Sequence, residues 1–360
     1  MTRLDRLRGQ MAATHIDLVA LAPGAHLAWL FGLKPHADER PLLACVSATG
    51  VGFLMPALEA DSLRQHTDLP FFPWSDAEGP NDAFKALLAA LGADTARAIA
   101  LDECMRADHA ALVATHLPGA RREFSETTVG ALRMRKEPAE VDALFKNARL
   151  ADAAMEAAFA AAAPGRTEAE VAAAARARFT EGGAKPLFTI VGAGPNGAFP
   201  HHQTGATALA QGDAAVMDIG ASMDGTSSDI TRMAVIGHPP EGYEAVHAIV
   251  DRAVEAALIA AKPGVAAHTV DDAARTVITE AGYGEYFVHR TGHGLGTEVH
   301  EPPYITASSK TVLDEGMVFS IEPGIYLPGR FGIRLEEIVV LRADGPKILS
   351  SLPRDVRVIP

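Results

Sequence analysis

The feature that most constrains the fold of this chain is an internal duplication in its second half. The stretch APGRTEAEVAAAARARFTEGG, which begins at Ala163, and the stretch KPGVAAHTVDDAARTVITEAG, which begins at Lys262, share one plan. Each contains the end of one helix, a Pro-Gly stop and a second helix that ends near a Thr-Glu pair. The copies keep the same register from the proline to that pair, so we predict two copies of one supersecondary unit.

The segments that follow these helices repeat as well. LAQGDAAVMDIGA matches LDEGMVFSIEPGI, and Asp218 and Glu322 each stand six residues after the matching glycine. Each copy then adds a second β-rich run, SSDITRMAVIG and FGIRLEEIVVL, and these runs contribute Asp229 and Glu336. We therefore predict an α+β domain of two pseudo-twofold halves, each with two acids on its strands, that face one another across a site.

The chain before the duplication has a different pattern. Its β-rich runs, such as IDLVAL and PLLACV, alternate with helical stretches such as NDAFKALLAALG, which is typical of an α/β domain. Long Ala-rich helices begin after a charged joint, RMRKEPAE, in which Pro138 suits a first helical position. We predict an N-terminal α/β domain over residues 1–129 and an α+β domain over residues 130–360.

Charge and composition limit the classes of partner. The 45 acidic and 32 basic residues give a formal net charge of -13, which argues against nucleic acid or an anionic membrane surface as the main partner. No window approaches the roughly 18 apolar residues of a membrane span, and no signal-peptide core is present. Only two cysteines occur, too few for a disulfide framework. These features predict a globular cytoplasmic protein with a small substrate.

The four repeated acids carry the strongest chemical signal. Asp218 and Glu322 stand in apolar runs, where burying a carboxylate costs several kcal/mol unless it is paired or binds a metal. Converging carboxylates without cations would also repel each other, and their pKa values would rise. His293, in TGHGLGTEVHEPP, adds an imidazole, and its flanking glycines let the backbone lie close to a site.

This combination of ligands predicts a two-metal site. An oxygen-rich set with one imidazole suits Mn, Co or Zn, and two ions about 3.5 to 4 Å apart can share bridging carboxylates. The predicted ligands are Asp218, Asp229, His293, Glu322 and Glu336.

Other catalytic motifs have little support. Gly192, Gly194 and Gly197 satisfy G-x-G-x-x-G, but Pro195 interrupts that loop. No G-x-S-x-G nucleophile elbow occurs, and neither cysteine has an activating context. The sequence therefore favours metal-assisted hydrolysis of an amide bond over covalent catalysis.

Five motifs in the second domain carry a family resemblance. MDIGA, SDITR, GHGLGTEVHE, IEPGI and GIRLEE occur in that order and together resemble the pita-bread metallopeptidases, which include methionine aminopeptidase, aminopeptidase P and prolidase. The resemblance covers about residues 136–360 and implies a pita-bread catalytic domain. The N-terminal domain resembles that of the prolidase, aminopeptidase P and creatinase branch. Creatinase lacks this metal set, so a metal-free creatinase function is not expected.

The resemblance also assigns roles to the ligands. Asp218 and Asp229 would bind one metal ion, Asp229 and Glu336 would bridge, and His293 and Glu322 would complete the second ion. Glu322 would in addition move a proton from the attacking water to the leaving nitrogen.

Further residues match positions that contact the substrate or orient the ligands. The resemblance implies that His201, His289 and His300 hold the peptide and its oxyanion, with ordinary structural histidines as the alternative. Arg334 would orient a metal-binding carboxylate, although a strand salt bridge is possible. Thr226 stands where relatives carry a tyrosine, so that tyrosine's role is missing here.

The N-terminal domain points to cleavage of Xaa-Pro bonds, because methionine aminopeptidases generally lack so large a preceding domain. The stretch WLFGLKPHADERPLLACV resembles a bacterial prolidase loop that contains His36 and Arg40. Arg40 could fork onto a dipeptide carboxylate in a neighbouring subunit, or the loop could be only a solvated charged segment. We predict a homodimeric Xaa-Pro dipeptidase with manganese. Aminopeptidase P is the enzyme alternative, and a pita-bread binding module is the non-enzyme alternative.

Overall fold

The computed structural model of the chain describes all 360 residues, Met1–Pro360, and consists of two compact units. The N-terminal unit is Met1–Arg133 and the C-terminal unit is Met134–Pro360. The short helix Val129–Arg133 stays whole in the first unit, whereas a boundary between residues 129 and 130 would divide it. None of the helices combines the length with the apolar character that a membrane crossing requires.

The N-terminal unit contains six strands and six helices. The strands are β1 Leu18–Leu21, β2 Leu43–Ser47, β3 Val51–Pro56, β4 Phe71–Trp74, β5 Ala98–Leu101 and β6 Arg121–Phe124. The helices are α1 Arg3–Thr14, α2 Ala25–Phe31, α3 Ala57–Arg64, α4 Asn81–Ala90, α5 Ala107–His116 and α6 Val129–Arg133.

A mixed sheet forms the centre of this unit, in the order β4-β3-β2-β1-β5-β6. The pairs β1-β2 and β2-β3 are antiparallel, and the other pairs are parallel. Successive strand residues enter two different cores: Val19 shares a core with side chains of α1, α2 and α3, whereas Leu18 shares one with α4 and α5. Helices therefore cover both faces of the sheet, and the predicted α/β domain is confirmed.

The C-terminal unit contains four helices and twelve strands. The helices are α7 Pro138–Ala161, α8 Glu168–Glu181, α9 Tyr243–Ala260 and α10 Ala267–Glu280. The strands are β7 Lys185–Ala193, β8 Ala214–Met223, β9 Thr226–Ser227, β10 Ile230–Ile236, β11 Gly292–Gly294, β12 Glu301–Ile305, β13 Val318–Ile321, β14 Gly324–Leu327, β15 Phe331–Arg334, β16 Glu337–Arg342, β17 Gly345–Ile348 and β18 Arg357–Ile359.

Two five-stranded sheets correspond to the two predicted halves. The first has the order β18-β10-β8-β7 with β9 on β8, and the second has the order β12-β11-β13-β16-β17. The antiparallel pair β8-β10 of the first half matches the antiparallel pair β13-β16 of the second. The second half also inserts a separate hairpin, β14-β15, between its paired strands.

The duplication is visible in the backbone as well as in the sequence. Gly165 and Gly264, in the two Pro-Gly stops, both adopt the left-handed conformation, with φ of 82° and 89°. Gly212 and Gly316, which precede β8 and β13, do the same, with φ of 90° and 83°. Glycine enters this region without the steric cost that a Cβ would bring. The matching glycines therefore mark the same turns at the same positions of the two halves.

The four acids differ from the prediction in one respect, because they do not all lie within strands. Asp218 is in the middle of β8, but Glu322 directly follows β13, and Asp229 and Glu336 lie in the breaks before β10 and β16. A break in a ladder frees the backbone to turn a side chain out of the alternating pattern. Three of the four carboxylates thus reach the site from strand ends.

Candidate metal centre

A cavity of about 510 Å³ lies in the C-terminal unit and contains all nine side chains of that unit that were predicted to bind metal or substrate. These side chains come from both halves of the duplication. The cavity lining consists of Phe188, Ile190, Pro200, His201, Asp218, Asp229, His289, Arg290, His293, Val299, His300, Glu322, Arg334 and Glu336.

The five predicted ligands form two overlapping groups. Ligand atoms of Asp218, Asp229 and Glu336 all lie within 4.8 Å of one another. Ligand atoms of His293, Glu322 and Glu336 do so as well. Glu336 belongs to both groups, which is the arrangement that two neighbouring cations with a bridging carboxylate require.

The carboxylates fit a cationic site because they are buried and only partly satisfied. Oδ1 of Asp218 and Oε1 of Glu336 are buried and accept no hydrogen bond from the protein. Burial, followed by repulsion from the neighbouring carboxylates, raises the pKa of both Asp229 and Glu336 well above the ordinary range. Divalent cations would satisfy these oxygens and remove the repulsion.

The imidazole of His293 is oriented for a cation. Its Nδ1 donates to the carbonyl of Gly294 (3.1 Å), so Nε2 faces the carboxylates of Glu322 (3.1 Å) and Asp229 (3.7 Å). Nε2 can lie there only if it carries a second proton or binds a cation. Backbone crowding holds this position, because a Cβ on Gly292 would lie 1.9 Å from the carbonyl oxygen of Ser320.

Glu322 is the acid with the strongest preference for the charged form. Burial opposes its ionisation, but the hydrogen bond and charge of His293 outweigh that effect and lower the pKa of Glu322 to about 2. The hydroxyl of Ser320 donates to the same carboxylate (3.2 Å) and accepts the backbone N–H of His293 (2.9 Å). Glu322 is therefore ionised in this arrangement, as a metal ligand must be.

Arg334 lies on the opposite side of the centre and contacts two of the predicted ligands, one of them through a hydroxyl. Its Nη2 donates to Asp218 (2.6 Å), and its Nε donates to the hydroxyl of Thr231 (3.1 Å). Thr231 donates in turn to Glu336 (2.8 Å). One guanidinium thus orients one ligand directly and a second through a hydroxyl, which is how outer-sphere groups tune metal ligands.

A row of hydrogen bonds continues from Arg334 to His289. Nη1 of Arg334 donates to the Tyr326 hydroxyl (2.7 Å), and that hydroxyl lies 2.8 Å from Nε2 of His289. Nδ1 of His289 donates to the carbonyl of Arg290 (2.7 Å), so the neutral ring accepts from Tyr326 at Nε2. Burial lowers the pKa of His289 and raises that of Tyr326 to about 12, which keeps both groups neutral.

The other two predicted histidines lie at the cavity mouth. His300 stacks obliquely against His293, with 4.1 Å between the ring centroids. Removal from water, followed by the neighbouring His293, lowers the pKa of His300 to about 4, so its ring is neutral near pH 7. His201 lines the same cavity and is exposed to solvent. Both rings can offer an N–H to a bound carbonyl.

The cavity also contains residues that the sequence did not single out. Phe188, Ile190 and Val299 form an apolar wall. Arg290 lies with its guanidinium carbon 4.7 Å from the ring centroid of Tyr304, and no carboxylate lies within ion-pair distance of it. The signal that could have found Arg290 is its position in VHRTGHGLG, one residue after a predicted substrate histidine.

Two predicted substrate residues belong to the N-terminal unit. The guanidinium of Arg40 forks onto Asp76 with two contacts of 2.9 Å and also pairs with Glu39 (3.0 Å). His36 lies four residues before it in the same loop. Thr226, at the position where the family resemblance leads one to expect a tyrosine, is buried, and its hydroxyl donates to the carbonyl of Met223 (3.0 Å).

Comparisons with known proteins agree with this geometry. Residues 142–343 match the model of metallopeptidase family M24, and residues 3–135 match the creatinase/prolidase N-terminal domain. A probable dipeptidase PepE of Mycobacterium tuberculosis is 40% identical over 349 residues, which covers 95% of this chain and 92% of that protein. An Xaa-Pro dipeptidase of Pyrococcus horikoshii is 33% identical and is covered to 96%, as is this chain.

Solved structures lead to the same group. The crystal structure of dipeptidase PepE from Mycobacterium ulcerans superposes with a TM-score of 0.95 at 38% identity, covering 99% of this chain and 97% of that one. The family match spans more than half of the sequence and includes all five predicted ligands. The chain therefore belongs to metallopeptidase family M24, with a creatinase/prolidase N-terminal domain.

Proposed function

We propose that this chain is an Xaa-Pro dipeptidase that uses two divalent metal ions. The observation that carries the proposal is the cavity of the C-terminal unit, which combines the five ligands with an apolar wall and a cation, Arg290, that has no acidic partner. Relatives named Xaa-Pro dipeptidase and dipeptidase, similar over nearly the whole chain, support the same reaction.

The ligands would divide between the ions as the two groups of atoms suggest. Asp218 would hold one ion, His293 and Glu322 would hold the other, and Asp229 and Glu336 would bridge the two. When bound, such ions polarise the scissile carbonyl and lower the pKa of a water molecule towards neutrality. We propose manganese as the native metal, with cobalt and zinc as alternatives, because carboxylate-rich sites with one imidazole accept all three.

The protein's own groups then serve the reaction. The Glu322 carboxylate accepts a proton from the attacking water and returns it to the proline nitrogen as the amide bond breaks. The rings of His300 and His201 donate hydrogen bonds to the carbonyl oxygen as negative charge develops on it. The apolar wall around Phe188 excludes bulk water and strengthens these interactions.

Arg290 supplies the selectivity for dipeptides in this proposal. Because it lacks an acidic partner, its guanidinium can fork onto the C-terminal carboxylate of a dipeptide, and a longer peptide would place a neutral amide there. Arg40 is the other candidate from the sequence, but its guanidinium is already engaged by Asp76 and Glu39. We propose Arg290 for this role and keep Arg40 and His36 as a second contact from a neighbouring subunit.

The test compares three substrates in the presence of Mn²⁺: an Xaa-Pro dipeptide, its C-terminal amide, and a tripeptide with proline second. We expect the dipeptide to react fastest. Arg290→Ala should raise KM for the dipeptide about 10- to 100-fold, the value of a charge-assisted hydrogen bond, and leave KM for the amide nearly unchanged. Arg330→Ala, which changes an exposed arginine outside the cavity, is the matched control. Equal or faster cleavage of the tripeptide would replace the dipeptidase proposal with aminopeptidase P.

Two further properties belong to the proposal. We propose a cytoplasmic homodimer, because the relatives share both domains and the sequence loop with His36 and Arg40 resembles one that acts across subunits. Sedimentation velocity of the metal-loaded protein measures the assembly, and a monomer at micromolar concentration would contradict it.

A further inference from the structure

Helix α10 carries a buried acid, Asp271, that accepts hydrogen bonds from the loop before β11. Asp271 is fully buried and accepts hydrogen bonds from the backbone N–H (3.0 Å) and the hydroxyl (2.8 Å) of Thr291. It also receives two contacts, 2.9 and 3.0 Å, from Arg275 one turn further along the helix. Arg275 donates onward to the carbonyls of Phe287 (3.1 Å) and His289 (2.9 Å). The ion pair of Asp271 and Arg275 therefore binds three of the five loop residues 287–291.

Helix α8 carries a second buried acid with the same relation to a different loop. Glu168 is fully buried and accepts from the backbone N–H of Ala193 (3.0 Å) and of Gly205 (3.1 Å), at the two ends of the loop that contains His201. It also contacts Nδ2 of Asn196 (2.9 Å) and Nε2 of His202 (2.8 Å). These contacts close the loop on itself at its base.

The two acids are equivalent in role but not in register. The duplication aligns Ala163 with Lys262, which places Glu168 opposite Ala267, and Asp271 stands four residues, or one helical turn, later. Each acid nevertheless lies on the second helix of its half and binds the loop that delivers a cavity histidine. The same arrangement, a buried acid of the second helix bound to a loop with a cavity histidine, therefore occurs in both halves.

Both loops are held from the cavity side by one residue, Arg334. It donates to the carbonyl of Pro200 (3.4 Å) in the first loop and reaches His289 in the second through Tyr326. Each loop is thus hydrogen-bonded both to a buried acid and, directly or through Tyr326, to the guanidinium of Arg334.

We propose that Glu168 and Asp271 are positioning residues that set the places of His201 and of His289 with Arg290. Neither acid lines the cavity, so they act through the loops alone. A charge-assisted acceptor of backbone N–H groups is strong when buried, and an amide in its place would offer donors where acceptors are needed. The expected loss of activity rests on the proposed function, whereas the expected loosening of the loops does not.

The experiment uses Glu168→Gln and Asp271→Asn in the full metal-loaded chain. Each variant has a matched control on its own helix: Glu170→Gln, whose carboxylate is exposed and caps α8, and Asp272→Asn, which pairs with His268 at the surface. The first readout is amide hydrogen exchange. We expect exchange at least tenfold faster at Ala193 and Gly205 in Glu168→Gln and at Thr291 in Asp271→Asn, with no change there in the controls.

The second readout is the hydrolysis of an Xaa-Pro dipeptide. Both acid variants should lower kcat/KM tenfold or more at unchanged metal content, and the controls less than twofold. In a background that carries both His289→Ala and Arg290→Ala, Asp271→Asn should have less than a twofold effect, because both groups that it positions are gone. A purely structural role would lower activity by the same factor in both backgrounds and would overturn the proposal.

Milder variants cover the case in which the acid variants do not fold. His202→Ala removes one of the contacts to Glu168, and Arg275→Lys keeps a positive charge beside Asp271 but loses the fork that also reaches the two loop carbonyls. Faster exchange in these loops supports the proposal even if the wild-type chain does not cleave the dipeptide, which would count only against the proposed function. Unchanged exchange in all four loop variants would overturn the proposal.

Discussion

The two halves of the C-terminal unit share a backbone plan but surround their strand acids with different partners. In the first half, Asp218 on β8 receives a hydrogen bond from Arg334, whose charge is permanent. In the second half, Glu322 after β13 lies beside His293, whose imidazole is itself a proposed metal ligand. The shared turns supply the geometry, and the unequal partners supply the chemistry.

This difference teaches how a duplicated framework can perform an asymmetric reaction. Metal binding needs ligands from both sides, so both acids are kept. In the proposed mechanism the proton passes through Glu322 on one side only, and Asp218 on the other side is held by a permanent cation. A symmetric site with two arginines, or with two histidines, would lose one of these functions.

The largest expected effect is on kcat, in a variant that removes only the proposed proton acceptor, Glu322. Glu322→Gln keeps the size and one ligand oxygen but removes the proton acceptor, so kcat for an Xaa-Pro dipeptide should fall about 10²- to 10⁴-fold. Metal content, measured by atomic emission after dialysis, separates lost chemistry from lost metal. Near-normal turnover at full metal occupancy would contradict the role of Glu322.

An intermediate effect, on metal affinity, is expected when Asp218 loses its permanently charged partner, Arg334. Arg334→Met removes the donors to Asp218 and Thr231 and should weaken metal binding about 10- to 100-fold, as loss of an outer-sphere partner typically does. Isothermal titration of the chelator-treated protein with Mn²⁺ measures this. Arg330→Met, an exposed arginine near the same hairpin, is the control and should bind metal as the wild type does. Equal affinities in both variants would remove the distinction between the two halves.

The smallest expected effect is on the pH dependence of stability, and it concerns a property that both halves share, a carboxylate with a raised pKa. Burial and neighbouring carboxylates raise the folded-state pKa of Asp229 and Glu336 above the unfolded value of about 4. Between these values the folded protein holds protons that the unfolded chain has released. The free energy of unfolding of the metal-free protein should therefore fall as pH rises, by at most about 1.4 kcal/mol per pH unit for each group.

Urea unfolding of chelator-treated protein at pH 5 to 8 checks this slope. Asp229→Asn and Glu336→Gln should each flatten it, because each removes one raised group, one from each half. Added Mn²⁺ should restore stability at the higher pH. An unchanged slope in both variants would show that the two acids are not the source of the pH dependence.

Much of the metal centre could be predicted because its signals are local. Asp218 interrupts an apolar run, and each of the other ligands stands in a short motif with glycine or proline nearby. The register of the duplication pairs Asp218 with Glu322, and the second β-rich runs pair Asp229 with Glu336, from the sequence alone. The sequence could not show that Asp229 and Glu336 lie in strand breaks, since β-rich runs do not mark where a ladder stops.

The residues that support the centre were missed because their local patterns have ordinary explanations. Glu168 stands in a helix N-terminal pattern, where an acid is expected for capping. Asp271 and Arg275 are spaced as a surface i, i+4 pair, yet the acid is fully buried. Arg290 looks like a loop cation. Only long-range contacts distinguish these residues from their surface counterparts.

The row from Arg334 through Tyr326 to His289 has a consequence for where protons can travel. Every donor in it points the same way, from the guanidinium to the hydroxyl, from the hydroxyl to the ring, and from the ring to the carbonyl of Arg290. Because the row begins at a group that keeps its proton and ends at a backbone oxygen that cannot pass one on, it conducts nothing. The row is therefore a polarised support that fixes the positions of Arg334 and His289 and offers no path for a proton.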